Sequence, residues 1–140
     1  MSEENVELYR RCVDAFNRRD LDGFLALMDD DVEAVSRLAA IEGILRGHDG
    51  IRRWWMSWFE VWPDYKLETV EVRDLGDTTL ATLHALGHGA GSDVPFEDTA
   101  WQLARWRHGK CILWRVFNDG DEAFEAVGLS EQDARSGKPT

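Results

Sequence analysis

Apolar residues recur with a helical period in the first half of the chain. Val6, Tyr9, Val13 and Phe16 are three or four residues apart, which predicts an amphipathic first helix. A short second helix follows, with Asp20 in the N-cap position. Its apolar residues are Leu21, Phe24, Leu25 and Met28.

The clearest helical pattern begins at residues 48–50, where Asp49 is the expected N-cap, and ends at Pro63. Its apolar residues lie at i, i+3, i+4, i+7, i+8 and i+11, on one face of a helix. They are Ile51, Trp54, Trp55, Trp58, Phe59 and Trp62. Between the second and third helices we expect an acidic turn at 29–31, a strand at 32–36 and an irregular connection at 37–47.

After Pro63 the apolar period changes to two, which predicts strands at 66–75, 78–89, 96–107 and 111–117. Residues 118–120 then begin a short helix that ends at Gly128, and a polar tail follows at 130–140. Consecutive strands joined by short turns indicate an antiparallel meander, and separate helices indicate an α+β fold. We therefore expect a curved antiparallel sheet wrapped around the N-terminal helices, enclosing a small aromatic pocket.

The composition narrows the set of partners and the compartment. The net charge of −11 opposes binding to nucleic acids or to anionic membranes, which both require basic surfaces. Two cysteines, Cys12 and Cys111, are too few for a secreted disulfide framework, and the first five residues do not resemble a signal peptide. Apolar runs stay well below the roughly 20 residues of a membrane span. These observations predict a cytoplasmic protein.

Six segments together resemble the NTF2-like superfamily, in its SnoaL-like branch of polyketide cyclase-like and ketosteroid isomerase-like proteins. They lie at residues 5–8, 15–22, 30–33, 47–52, 109–110 and 122–129. The resemblance implies a cone-shaped half-barrel formed by one domain at 1–129, with the polar tail at 130–140 outside it. It also implies a pocket between helices and sheet, and a homodimer formed through the outer face of the sheet.

The positions that carry chemistry in related enzymes hold other residues in this chain. The resemblance places the Tyr and Asp of ketosteroid isomerases on Cys12 and Ala34, and the acid/base Asp of polyketide cyclases on Val116. None of these three residues supplies the proton transfer that those enzymes need. Asp119 matches a second common acid, and it is either the N-cap of the last helix or a pocket residue.

Asp98 is the candidate catalytic residue. In the register that the resemblance implies, Asp98 and Gln102 point inward, so Asp98 would be a general base or would orient a substrate. The alternative is a solvated carboxylate at the pocket mouth. Gln102 and Asn118 are candidates for orienting a ligand. The predicted ligand pocket consists of Trp55, Trp58, Phe59, Gln102, Trp114, Val116, Asn118, Cys12, Phe16 and Ala34.

The histidines do not predict a metal site. His84 and His88 are four residues apart on one strand, roughly 13 Å at about 3.3 Å per residue, too far to bind one ion. We therefore expect no metal and no cofactor, and a surface or interface role for both residues.

Three functions stay open at this point. The first is a SnoaL-like protein that binds a small apolar or aromatic molecule without a complete catalytic set. The second is a cofactor-independent isomerase, cyclase or dehydratase in which Asp98 is the acid/base. The third is a dimeric adaptor module.

Overall fold

The computed structural model describes residues 2–36 and 43–128 of this chain. The helices are α1 (Ser2–Asn17), α2 (Leu21–Ala26), α3 (Gly47–Val61) and α4 (Gly120–Ala126). The strands are β1 (Met28–Val35), β2 (Leu45–Arg46), β3 (Lys66–Asp74), β4 (Thr78–His88), β5 (Pro95–Arg107) and β6 (Lys110–Phe117). The predicted tail at 130–140 lies outside the described residues, as do residues 37–42 of the predicted connection.

The strands form one six-stranded open sheet in the order β2-β1-β6-β5-β4-β3. From β6 to β3 the neighbours are antiparallel, as the predicted meander requires. β1 pairs with β6 in parallel, so the sheet is mixed at this one pair. A parallel pair needs a long connection, which α3 and the strands β3 to β5 provide. The predicted α+β class is confirmed.

Helix α3 places the tryptophan-rich stripe against the sheet. Ile51, Trp54 and Trp55 are buried, whereas Met56 on the opposite side is exposed. The helix ends at Val61, as the predicted stop at Pro63 requires. Its beginning differs from the prediction, because Arg46 is the N-cap residue and no side chain caps the helix. The predicted cap, Asp49, instead pairs with Arg52 at 2.9 Å.

Strand β1 begins earlier than predicted. Met28, expected on α2, is the first residue of β1, and the predicted acidic turn at 29–31 lies within the strand. Met28 pairs with Cys111 of β6, whose N–H donates to the carbonyl of Leu27 at 2.9 Å. Burial of Met28 and this pairing draw the chain into the sheet directly after α2. A register irregularity between Met28 and Glu33 accommodates the acidic residues.

Helix α4 begins where the sequence predicts, and its N-cap is Asp119. The Asp119 carboxylate accepts the N–H of Asp121 at 2.8 Å, a capping bond of the kind that costs about 1 kcal/mol to remove. Of the two roles considered for Asp119, N-cap or pocket residue, this contact supports the N-cap. A further short strand, β2, lies inside the stretch predicted to be irregular and pairs with β1.

Two apolar clusters lie on opposite faces of the sheet. We call the face that contacts α1, α2 and α3 the inner face, and the opposite face the outer face. The inner cluster includes Tyr9, Phe16 and Trp114, which pack between the helices and the sheet. The outer cluster is smaller and joins α4 to the sheet. Its buried members are Leu80, Leu103, Phe117 and Ala123.

Candidate functional site

A small cavity lies between α1, α3 and the inner face of the sheet. Its volume is about 20 Å³, close to the space that one water molecule needs. Apolar and aromatic side chains form most of the wall, and Gln102 supplies a polar group. The lining residues are Phe16, Trp54, Trp58, Tyr65, Leu67, Ala100, Gln102 and Val116.

Gln102 is held in one orientation by Tyr9. The Tyr9 hydroxyl donates to Oε1 of Gln102 at 2.5 Å, and both side chains are buried. Burial raises the pKa of the Tyr9 phenol well above its usual value, so the hydroxyl stays protonated and remains a donor. Oε1 accepts this bond, and the NH₂ group and the second lone pair of Oε1 can bind other partners.

Trp58 forms a wall of the cavity and is itself partly exposed. Its ring packs edge-on against Tyr65, with the ring centroids 5.1 Å apart. The indole Nε1 of Trp58 is buried, and within residues 2–36 and 43–128 it has no hydrogen-bond partner. A buried N–H without a partner costs about 1–3 kcal/mol.

The neighbouring segment after β4 is fixed to the end of α3. The N–H of Ala90 donates to the carbonyl of Val61 at 2.8 Å, and Trp62 packs against Phe96 with centroids 4.8 Å apart. A Cβ at Gly87 would lie 3.1 Å from the Cα of Tyr65, a tight contact, so glycine favours the close approach of these two backbone segments. These contacts position Tyr65 in the cavity wall.

Four of the predicted pocket residues line the cavity: Phe16, Trp58, Gln102 and Val116. Trp54, Tyr65, Leu67 and Ala100 line it as well and were not predicted. Trp54 belongs to the same helical stripe as Trp58, and Ala100 alternates with Gln102, so the pattern carried a signal for both. Tyr65 lies between a helix and a strand, where neither period identifies its direction.

The other predicted pocket residues lie elsewhere. Trp55 and Trp114 are core residues: Trp55 packs edge-on against Phe16, and Trp114 stacks on Tyr9 with centroids 5.6 Å apart. Phe59 also packs on Phe16, and the Arg19 guanidinium lies over its ring at 3.8 Å. Asn118 is exposed at the end of β6, while the two remaining residues, Cys12 and Ala34, are buried in the inner cluster.

The two cysteines are buried thiols. Burial raises the pKa of Cys12 well above its usual value and raises the pKa of Cys111 to about 12. Since the thiolate is the nucleophilic form, both side chains stay in the unreactive, protonated form at neutral pH. Cys12 is therefore a core residue and does not supply a nucleophile.

Asp98 shares the inner face of β5 with Ala100 and Gln102, because residues two apart on a strand point to the same side. It lies two positions from Ala100, about 6.6 Å along the strand, and its side chain is exposed. Its Oδ1 accepts the N–H of Thr99 at 2.8 Å. Asp98 is therefore exposed to solvent. Its role as an acid/base stays a prediction.

The histidines of β4 contact carboxylates on the outer face and its rim. His84 lies between Glu97, at 2.7 Å, and Glu68, at 3.3 Å, on the two neighbouring strands. His88 pairs with Asp64 at 2.8 Å. Across the described part of the chain, no group of His, Cys, Asp and Glu residues could hold a metal ion.

A family model for the SnoaL-like domain matches residues 9–124. This chain belongs to the SnoaL-like family. The match includes every residue that lines the cavity, so the cavity lies within the SnoaL-like domain. Among the helices described, none is long and apolar enough to cross a membrane.

Solved structures with the same fold share little sequence with this SnoaL-like domain. A candidate SnoaL-like polyketide cyclase from Jannaschia is 18% identical, with a TM-score of 0.74 over 89% of this chain and 92% of its own. An NTF2-like protein of unknown function from Burkholderia pseudomallei is also 18% identical, with a TM-score of 0.74 over 90% and 98% of the two chains.

A third neighbour was crystallised with a small molecule. This protein from Catenulispora acidiphila has a ketosteroid isomerase-like fold and is in complex with trimethylamine. It is 18% identical, with a TM-score of 0.73 over 88% of this chain and 93% of its own. A search of curated proteins finds no significant match. At these identities the likeness shows the fold alone.

Proposed function

We propose that this SnoaL-like domain binds a small apolar molecule between α3 and the inner face of the sheet. The observation that carries the proposal is the aromatic cavity, whose wall includes the Gln102 side chain that Tyr9 holds by a hydrogen bond. Apolar walls with a few placed polar groups are typical of small-molecule sites. The trimethylamine complex of the Catenulispora neighbour shows that the fold accommodates a ligand in at least one protein.

Binding requires the cavity to enlarge from about 20 Å³. An engineered apolar cavity of about 150 Å³ is large enough to hold benzene. Phe16, Trp54 and Tyr65 are enclosed in the inner cluster, whereas Trp58 is partly exposed. We expect Trp58 to move outward when a ligand enters, because its displacement disturbs fewer buried contacts than that of any other aromatic residue of the wall.

The lining favours binding over proton transfer. Among the described residues, none that lines the cavity is a carboxylic acid or a histidine. The positions where the related enzymes carry acid/base groups are Cys12, Ala34 and Val116. Cys12 and Ala34 are enclosed in the core, and Val116 is an apolar part of the cavity wall. A ligand in this cavity therefore meets donors and apolar walls.

Filling the cavity tests the proposal. We expect a small aromatic ligand to raise the melting temperature of the wild type and to change its tryptophan fluorescence. Ala100→Leu adds a larger side chain to the cavity wall and should abolish both responses. Ser57→Leu, on the exposed side of α3 and outside the cavity lining, is the control and should retain them. Binding that is equal in both variants would place the ligand elsewhere.

Asp98 favours a second candidate function, that of a cofactor-independent isomerase, cyclase or dehydratase. A ligand that extends from the cavity along β5 would bring its outer end to the exposed Asp98 carboxylate, which could accept a proton next to a carbonyl. Asp98→Asn should then abolish turnover and leave folding intact. The control is Asp93→Asn, an exposed acid in the preceding loop. Unchanged turnover in Asp98→Asn would remove this candidate.

The outer face is the proposed homodimer contact. Helix α4 covers Leu80 and Leu103, and the part of the face around His84 is open in the single chain. Sedimentation should give roughly twice the 16.0 kDa mass of one chain. A purely dimeric adaptor would show this mass and no ligand response, which separates the adaptor function from the binding function.

A further inference from the structure

We infer that the outer face of the sheet is a docking surface for the chain's own C-terminal segment, residues 129–133. In this arrangement the Leu129 side chain enters a groove beside α4, and the acids Glu131 and Asp133 lie next to Arg105. The groove is on the face opposite the cavity, so the inference goes beyond the proposed binding function and does not depend on it. It follows from the lining of the groove, from the turn that ends α4 and from the order of residues after that turn.

The groove lies on the outer face where α4 ends. Its volume is about 240 Å³, against about 20 Å³ for the inner cavity. The lining residues are Leu75, Thr78, Arg105, Ala126 and Val127. Leu75 and Val127 pack against the outer cluster and are only half-buried. A further apolar side chain between them would extend this cluster and remove apolar surface from water, which is favourable.

The charge at the groove favours an acidic occupant. Among the described residues that line it, the charged one is Arg105, whose side chain is exposed. A second guanidinium on the outer face, that of Arg73, is buried and lies 5.7 Å from the centre of the Phe124 ring of α4. Its Nε is 3.3 Å from the Glu71 carboxylate. An acidic segment that reaches the groove is therefore attracted by two positive charges.

The end of α4 turns the chain back toward the sheet. Val127 is the C-cap residue, and Gly128 follows in the left-handed region with φ 77°. The Gly128 N–H donates to the carbonyl of Glu125 at 3.0 Å, which is one of the two hydrogen bonds of a Schellman motif. In this motif the next residue packs on the last turn of the helix. That residue is Leu129, and the motif directs its side chain to Phe124, which packs against the outer cluster.

The residues after the turn match the groove in their order. Leu129 supplies an apolar side chain, and Glu131 and Asp133 follow at alternate positions. Alternate side chains of an extended segment point to the same side, so these three face the sheet together. The four steps from 129 to 133 span roughly 13 Å, more than two strand spacings of about 4.8 Å. The segment is therefore long enough to pass Arg105, which lines the same groove as Val127.

Thermal unfolding of full-length variants tests the apolar contact. We expect Leu129→Ser to lower Tm by about 4 °C, because it removes an apolar side chain from the groove. Ala134→Ser, one residue past the proposed contact, is the control and should leave Tm unchanged.

A charge reversal tests the pairing with Arg105. Glu131→Lys should lower Tm by less than Leu129→Ser, and the double variant Arg105→Glu/Glu131→Lys should recover most of that loss. The control, Arg53→Glu/Glu131→Lys, reverses an exposed charge on α3 instead and should recover none of it. Equal recovery in the two double variants would mean that net charge acts rather than a local pair, and would overturn the pairing.

Methyl NMR spectra report the contact directly. Leu129→Ala and Leu75→Ala assign the two sets of methyl signals by their loss, and we expect a nuclear Overhauser effect between them in the wild type. A mixture of two differently labelled samples identifies the source of the segment. An effect within one labelled chain is the expected result. An effect seen only between differently labelled chains would place the segment of a second copy in the groove and overturn the inference.

The remaining outcomes separate docking from the turn that ends α4. A fall in Tm for Leu129→Ser without the effect between Leu129 and Leu75 would confine Leu129 to the turn and overturn the docking. Unchanged Tm together with no such effect would overturn it as well. The response of the cavity to ligands should be the same in all these variants, because the groove and the cavity lie on opposite faces of the sheet.

Discussion

The two faces of the sheet differ in the way their polar groups are held. On the inner face, Gln102 is buried and bonded to Tyr9, and the Trp106 indole N–H donates to the Thr79 hydroxyl at 3.0 Å. On the outer face, the polar groups around His84 are partly exposed ion pairs. A buried group without its partner costs far more than an exposed one, so we expect substitutions to be much less tolerated on the inner face.

This difference also indicates where function lies. The inner face combines rigid aromatic walls with a polar group in one fixed orientation, as ligand recognition requires. The outer face carries a small apolar cluster under α4 and an exposed charged strip, which resembles a contact surface. Each prediction below tests one side of this comparison, in order of decreasing expected effect.

The largest effect should come from Phe16→Ala on the inner side. Phe16 is buried and packs against five aromatic rings, so its removal leaves a cavity and should lower the free energy of unfolding by about 3–5 kcal/mol. The rings are Phe24, Trp54, Trp55, Phe59 and Tyr65. Urea denaturation measures the loss. Ser57→Ala, on the exposed side of α3, should change stability by less than about 0.5 kcal/mol.

A smaller effect should come from Tyr9→Phe, which removes one hydroxyl from the inner face. The Oε1 of Gln102 loses its donor in a buried position, which should lower the free energy of unfolding by about 1–3 kcal/mol. The midpoint of urea denaturation should fall without a change in its slope. In the double variant Tyr9→Phe/Gln102→Leu, part of the loss should be recovered. No recovery would mean that the Gln102 oxygen finds another donor.

The apolar periods predicted most of the fold, because they report which face of each element is buried. Of the predicted pocket residues that line the cavity, Trp58 lies on the stripe of α3 and Phe16 on the stripe of α1. Gln102 and Val116 followed instead from the register and positions that the family resemblance implies. The periods did not separate cavity walls from solid core, since Trp55 and Trp58 occupy the same stripe and differ only in their neighbours. The beginning of β1 was also missed. Three consecutive acidic residues are not typical of a strand, and the strand that pairs with them, β6, is distant in sequence.

On the outer face, His84→Gln should have a smaller effect than either inner-face change. His84 contacts Glu68 and Glu97 in a partly exposed position, where an ion pair with the protonated imidazole contributes at most about 1 kcal/mol. Thermal unfolding at low and high salt measures the contribution. The difference between wild type and variant should shrink near 1 M salt, where the Debye length is about 3 Å. A difference that persists at high salt would indicate packing rather than charge.

The smallest effect should depend on pH and involve Asp64 at the rim of the outer face. The His88 side chain is the main hydrogen-bond donor that lowers the pKa of Asp64 below its ordinary value of 3.8, and the His88 backbone N–H also donates to it. A carboxyl with a lower pKa in the folded state stabilises the fold fully above the ordinary value. This contribution is lost as the pH falls through the lowered pKa.

Asp64→Asn keeps the shape of the side chain and an acceptor for the His88 N–H, and removes only the charge. The variant should therefore melt at a lower temperature than the wild type at pH 6, and the gap should narrow as the pH falls below 3.8. Asp93→Asn, an exposed acid in the loop between β4 and β5, serves as the control and should show no such narrowing. If the difference in melting temperature between wild type and Asp64→Asn instead grew on acidification, the pKa of Asp64 would not be lowered by folding. The ion pair at this rim would then not be the group that stabilises the fold.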